Sequence, residues 1–269
     1  MSTAEASTVT PVIAESPDAT RAATTCAWCE QQLVVTVPRG AGRVRCVHCG
    51  ATTVAAWSSD HELAPAAIAG SAGQGRRPGH ARLCSLGEAA RRHARRRLAL
   101  RIERVAPPGA VLDVGSGDSL LLEALRATGR RVTGIARPAR EGTHDAEITE
   151  LGGRYAAIVF WQSLGRLRAP GVALEHAAAL LKPGGLLAIA QPSAAREQAR
   201  AFAERVSGGL PRERVHIPEP TLVARLRALG LEVEHVDHLL DADRLVAGQA
   251  ALGWLHGVLG GIVAIEARR

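Results

Sequence analysis

Four thiols and one glycine-containing bend are the parts of this 269-residue chain whose types and spacing bear on chemistry. Cys26 and Cys29 are separated by two residues, as are Cys46 and Cys49, with sixteen residues between the pairs. Four thiolates at about 2.3 Å around one ion make a closed tetrahedral zinc shell, and a two-residue gap lets both sulfurs of a knuckle reach it. In a chain without secretory features that spacing predicts a structural zinc, not disulfides. Being closed, the shell leaves no open position for a reaction. Cys84 stands alone and reads as a small buried or linker residue.

The bend is Val111-Leu112-Asp113-Val114-Gly115-Ser116-Gly117-Asp118-Ser119. A short apolar strand carrying a carboxylate runs into glycines at 115 and 117, which let the backbone turn sharply and approach a ligand. Asp113 is placed to orient the loop or meet an amino group. Position 120 is Leu, so the third glycine of a dinucleotide fingerprint is missing and a pyrophosphate site is disfavoured. No Gly-x-Ser-x-Gly, Walker-type lysine loop or paired acids point to other chemistries. His216, flanked by Val215 and Ile217, is a candidate general base, although a lone His in that setting is more often a packed residue. His235 and His238 have no partners at ligand spacing.

These residues need elements to hold them. Leu33 to Val37 and Arg43 to Arg45 read as strands of a small β-ribbon around the cysteines. Ser58 to His80 is Ala/Gly/Ser/Pro-rich and reads as a linker. Ser85 to Val105 reads as a helix with Leu86, Ala90, His93, Leu98 and Ile102 on one side and arginines over the rest, ended by Pro107-Pro108-Gly109. Strands follow at Ala110–Val114, Arg131–Ile135, Ala156–Trp161, Leu186–Ala190 and Leu231–Val236, with helices at Leu120–Thr128, Val172–Leu181 and Thr221–Leu229 between them. Near-continuous Val/Leu/Ile strands alternating with helices predict an α/β domain with a doubly wound, mainly parallel sheet, binding ligands at its carboxyl edge. The expected organisation is a disordered tail (1–21), a zinc ribbon (22–57), a linker (58–80) and the α/β domain (81–269).

Composition narrows the function classes. With 46% hydrophobic residues the chain has material for a packed core, and with seven aromatics it lacks those a base-stacking sheet requires. The formal charge of +7 invites a polyanion, yet Lys182 is the only lysine. Arginine for lysine together with abundant Ala and Gly reads as codon bias, and Arg91 to Arg97 as the solvated face of a helix. Met1 to Thr25 lacks an apolar stretch and carries Glu5, Glu15 and Asp18, unlike a secretory signal. No run reaches the ~20 apolar residues a membrane span needs; Ala250 to Ile265 reads as a buried helix and a strand. The expected location is the cytoplasm.

The bend resembles the first motif of class I S-adenosylmethionine-dependent methyltransferases, roughly Asp/Glu-x-Gly-x-Gly-x-Gly, at Asp113, Gly115 and Gly117, with Ser119 in place of the third glycine. The resemblance continues through Tyr155 to Leu164 and through Leu181-Lys182-Pro183-Gly184-Gly185 to Pro192, blocks similar to the quinone and small-molecule O-methylating group. It implies a Rossmann-like methyltransferase fold with S-adenosylmethionine as cofactor. Asp113, Gly115, Ser116 and Gly117 would hold the methionine end, Asp145 and Ala146 would meet the adenine, and Trp161 and Gln162 would line the methyl-transfer side. The cysteine segment is similar to lesion-simulating-disease type zinc fingers, which implies contacts with a protein or nucleic acid.

Departures from the pattern temper this. Ala136 and Arg137 stand where relatives carry the acid that binds the ribose, with Glu141 or Asp145 as loop substitutes. The chain between Ile135 and Tyr155 is too short for a full helix and strand. Gln162, Gly165 and Arg166 replace the ionisable groups found near the methyl-transfer centre. Methyl transfer needs in-line positioning and a deprotonated nucleophile more than a base. The expected function is therefore methyl transfer to an unidentified acceptor, a small molecule before a nucleic acid, with the ribbon recruiting it. The alternative is a non-catalytic adaptor that binds protein or nucleic acid through the ribbon and the Arg91–Arg97 helix.

Overall fold

The computed structural model describes residues 25–33, 43–54, 80–116, 119–137, 139, 142–193, 213–239 and 262–269. Short strands β1 (Arg43–Arg45) and β2 (Thr52–Val54) come first, followed by the long helix α1 (His80–Val105). Then come β3 (Val111–Val114), α2 (Leu120–Arg126), β4 (Val132–Ala136), β5 (His144–Asp145), β6 (Tyr155–Trp161), α3 (Pro170–Leu180) and β7 (Leu181–Pro192). β8 (Val215–His216), α4 (Glu219–Ala228), β9 (Glu232–Leu239) and β10 (Ile262–Arg268) complete the described elements, with 3-10 turns at 148–150 and 164–166.

Seven strands form one sheet in the order β5-β4-β3-β6-β7-β10-β9. β5 through β7 pair parallel, and β10 runs antiparallel between β7 and β9. The apolar runs bury both faces, as parallel strands require. On β6, Ala157 and Val159 pack with Ala99 and Ile102 of α1 and Leu121 and Leu125 of α2. Ile158 and Phe160, one residue out of phase, pack with Leu174 of α3 and Leu222 and Leu226 of α4. The α/β, doubly wound, mainly parallel Rossmann-like architecture expected of the sequence is the one observed.

Some local expectations needed correction. β7 begins at Leu181 and carries Lys182-Pro183-Gly184-Gly185 as an irregularity in its pairing with β6, where the sequence reads as a stop before a later strand. α1 begins at His80; among its described side chains Arg95, Ala99 and Ile102 are buried, Ala106 just past its end continues that face, and His93 is exposed. The i, i+4, i+7, i+11 spacing of those residues explains the choice: small Ala99 and Ala106 let the helix lie close to the sheet. The end of α1 is held by Arg130, which donates to the carbonyls of Pro107 (2.6 Å), Ala106 (3.0 Å) and Glu103 (3.2 Å) and pairs with the Glu103 carboxylate. The shortened region after β4 is the two-residue β5 and a 3-10 turn, as the chain length demanded.

β1 and β2 form an antiparallel pair, and β8 adds to β2 with Thr52 opposite His216 and Thr53 opposite Val215. The cysteine ribbon is therefore a three-stranded sheet whose third strand comes from beyond β7. Cys26, Trp28, Cys46 and Ala51 share one apolar core with Leu174, Ile217 and Leu222. The Trp28 carbonyl lies so near α3 that a Cβ on Gly171 would meet it at 2.6 Å. The expected tail (1–21), most of the linker and most of the Leu33–Val37 strand fall outside the described residues. Among the described residues no helix is long and apolar enough to cross a membrane.

Candidate functional site

Strand order reverses between β3 and β6: β4 and β5 extend to one side, β6 and β7 to the other. Such a switch point opens a crevice at the carboxyl ends of its strands. The rim carries Val114, Gly115 and Ser116 after β3, Ala136 and Arg137 after β4, Asp145 and Ala146 at β5, and Trp161, Gln162 and Ser163 after β6. Of the described residues assigned to the cofactor from the sequence, Gly115, Ser116, Asp145, Ala146, Trp161 and Gln162 lie on this edge, and Asp113 lies one residue behind it, inside β3. Gly117 falls outside the described residues.

The bend after β3 is tied on both sides. The N–H groups of Gly115 and Ser116 donate to the Ile135 carbonyl at 2.8 and 3.3 Å. Gly115 has φ +74°, and a Cβ there would meet the Ser163 Cβ at 2.5 Å, so only glycine fits. Ser163 in turn donates its buried hydroxyl to the Val114 carbonyl at 2.5 Å. Asp113 is buried within β3. Ser119, at the N-cap of α2, has φ +58°.

At the end of β6, Gln162 adopts φ +52°, a conformation that costs a non-glycine residue about 1 kcal/mol or more and clusters at functional sites. Its N–H donates to the Ala190 carbonyl at 2.7 Å, which fixes the backbone. Its Nε2 and the Nε1 of Trp161 are both buried without a hydrogen-bond partner among the described residues. A buried donor without an acceptor costs about 1–3 kcal/mol, which a ligand oxygen would recover. The guanidinium of Arg95, itself buried, stacks 4.6 Å from the centre of the Trp161 ring. Arg95 escaped sequence reading because it sits in an arginine run; its i, i+4, i+7 spacing with Ala99 and Ile102 was the available signal.

The β4–β5 edge departs from a plain ribose carboxylate. Ala136 pairs with Asp145 in the ladder, so a carboxylate lies level with the end of β4 although none follows it in sequence. Arg137 binds Asp145 (3.2 Å), Glu147 (3.5 Å) and Glu150 (2.9 and 3.1 Å). His216 lies on β8, opposite Thr52 of the cysteine sheet, not on the rim. The neighbouring Glu213 is buried, and its Oε2 would be 3.5 Å from a Cβ on Gly165 in the turn that holds Arg166. No sequence signal linked residues 48 positions apart.

All four cysteine sulfurs lie within 4.8 Å of one another. Cys26–Cys49 and Cys29–Cys46 are each 3.7 Å apart, close to the roughly 3.8 Å edge of a sulfur tetrahedron built on a metal–sulfur distance of about 2.3 Å. The donor set fits zinc. Burial opposes ionisation of Cys46, but the backbone N–H groups of Cys49 and His48 outweigh it and pull the thiol down to about 7. Burial and the other sulfurs push Cys49 up, and burial pushes Cys29 up. An unmetallated cluster of this kind holds protons that a divalent cation would replace.

A family model described as a methyltransferase domain matches residues 90–236, more than half of the chain. A ubiquinone biosynthesis O-methyltransferase of Xanthomonas axonopodis pv. citri (strain 306) is 30% identical over 164 residues, covering 51% of this chain and 69% of that protein. The protein of the same description from Xanthomonas campestris pv. campestris (strain B100) is 31% identical over the same span. The magnesium protoporphyrin IX methyltransferase of Synechocystis PCC 6803, solved with bound SAH, superposes with a TM-score of 0.51 over 79% of this chain and 95% of its own, at 14% identity, a likeness of fold.

Proposed function

The chain belongs to the methyltransferase-domain family and is an S-adenosylmethionine-dependent methyltransferase; from that premise we propose that it methylates an oxygen of a small, anionic acceptor at the β3–β6 rim. The observation that carries this reading is the pair of buried, unpartnered N–H donors of Trp161 and Gln162 beside the stacked Arg95 guanidinium. Donors so arranged favour an oxygen that bears negative charge, and so hold the nucleophile in its reactive form without a general base. The absence of an acid or His at Gln162, Gly165 and Arg166 then has a chemical reason. The names of the Xanthomonas relatives support an oxygen nucleophile on a small molecule.

When bound, S-adenosylmethionine supplies an electrophilic methyl on a sulfonium centre. Gly115 and Ser116 would hold its methionine end, with Asp113 orienting the bend from within β3. Asp145, held by Arg137 level with Ala136, would face the nucleoside, and Ala146 the adenine. Trp161 and Gln162 orient the acceptor oxygen, and Gln162's fixed backbone keeps that geometry in line. We place His216 outside this chemistry because its strand is committed to the cysteine sheet.

The four cysteines would hold a structural zinc. Their convergence as thiols is the pattern of a reducing compartment and supports a cytoplasmic protein. One face of the ribbon is packed into the core, so recruitment of an acceptor or a protein partner falls to its outer knuckle, where Val47 is exposed. Nothing favours the adaptor alternative over the enzyme.

Calorimetric titration with S-adenosylhomocysteine tests the reading. Micromolar binding that Gly115→Arg abolishes is expected, and mass spectrometry of co-purified ligands should return an acidic hydroxyl compound. No heat with the zinc-loaded protein would sink it.

A further inference from the structure

We propose that the cysteine ribbon positions the methyl-transfer rim, so that zinc at Cys26, Cys29, Cys46 and Cys49 and an S-adenosyl ligand at β3–β6 bind cooperatively through the backbone of Arg214. The inference rests on the methyltransferase and zinc readings above and assigns the ribbon a second task besides recruitment.

One residue joins the two sites. The Arg214 carbonyl accepts a hydrogen bond from the N–H of Val54, the last residue of β2, at 2.9 Å. The Arg214 N–H donates to the carbonyl of Gly165 at 2.7 Å. On the metal side, the knuckle turns directly into β2: Gly50 donates to the Cys46 carbonyl at 2.9 Å, and Cys46 donates to that of Ala51 at 2.7 Å. On the rim side, Gly165 lies in the 3-10 turn that follows Ser163, whose hydroxyl holds the Val114 carbonyl beside Gly115.

The connection has no slack. A Cβ on Gly165 would lie 2.5 Å from the Val215 carbonyl, and one on Gly115 would lie 2.5 Å from the Ser163 Cβ. Two close backbone approaches in series flank the same short turn, so a displacement of β8 is passed on to Ser163 and Gly115. β8 has two residues and β1 and β2 three each. Strands that short are not stable by themselves, and metal binding energy is what a small thiolate module has to fold with. Loss of zinc therefore releases β8, Arg214 and the turn at 164–166 together. Coupling of this kind is reciprocal: the factor by which zinc tightens the nucleoside ligand is the factor by which that ligand tightens zinc.

The test uses the full-length protein with zinc bound and removed. Hydrogen exchange at 163–166 and 213–217 should rise on metal removal, while 132–136 and 155–161 stay protected. S-adenosylhomocysteine affinity should fall about tenfold, and saturating ligand should slow zinc loss to a chelator by a similar factor. If the metal-free chain unfolds throughout, Val54→Pro serves instead: it deletes the N–H bound to Arg214, keeps all four cysteines, and should raise exchange at 163–166 with zinc retained. Unchanged exchange at 163–166, or ligand affinity equal with and without zinc, overturns the coupling alone. Absence of ligand binding to the zinc-loaded protein overturns the methyltransferase reading and takes the coupling with it.

Discussion

The hydroxyl of Thr221, in the first turn of α4, donates a 2.8 Å hydrogen bond to the carbonyl of Cys49, 172 residues earlier in the chain. A helix of the α/β domain thus buttresses the backbone of a thiol knuckle. Thr221→Val keeps the shape and leaves that carbonyl without its donor, at a cost of about 1 kcal/mol. Urea denaturation should read that loss, and zinc should exchange faster with a chelator than in the parent protein.

Gln162→Gly separates strain from stability. The substitution removes a side chain from a residue at φ +52° and should stabilise the fold by about 0.5–1 kcal/mol. The same change deletes one of two buried donors at the rim, so turnover should fall while the melting temperature rises. A variant that loses stability as well would argue that the side chain packs and does not serve a ligand.

Gly115→Ala asks a Cβ to enter the space of Ser163 at a positive φ. Backbone strain and overpacking together should cost about 2–4 kcal/mol, read by thermal unfolding. S-adenosylhomocysteine affinity should drop by tenfold or more. Ser163→Gly in the same background removes the Cβ that the new side chain meets and should return part of the stability but not the affinity.

Arg130→Met removes a charged donor from three carbonyls at the end of α1 and from the Glu103 carboxylate. Charge-assisted bonds at a helix C-terminus make this a loss of about 2–3 kcal/mol, far above a surface arginine. Chemical denaturation measures it. An effect under about 0.5 kcal/mol, the range of ordinary surface changes, would mean the C-terminal carbonyls of α1 are satisfied by other means.

Zinc affinity should fall as pH falls, because protons compete for the same sulfurs. Cys29 and Cys49, both pushed up, compete hardest, while Cys46 at about 7 holds its proton least. Chelator competition between pH 8 and pH 6 should show a loss of at least about tenfold per unit. A flat profile would point away from thiolate ligation.

The sheet was legible because its central strands are apolar runs punctuated by Gly and Pro: β3, β4 and β6 lie where Val, Ile and Leu cluster. The glycine bend and the four cysteines were legible because their chemistry is written in local spacing. What local spacing cannot express is contact across the chain. The pairing of β2 with β8, the hold of Arg214 on Gly165 and the level placement of Asp145 beside Ala136 all join segments that no periodicity relates. Arg95 was hidden differently, a buried cation within a run of exposed ones, two residues from an exposed His93 whose ring suits an apolar face better by residue type alone.

Thr53 leaves the ribosome 162 residues before Val215, the strand partner it needs. At about 5–20 residues per second that interval is roughly 10–30 s of translation. For that time the nascent amino-terminal hairpin has an open hydrogen-bonding edge and four sulfurs able to take up metal. Metal loading during synthesis, before the catalytic half exists, would hold that edge in register until its complement emerges.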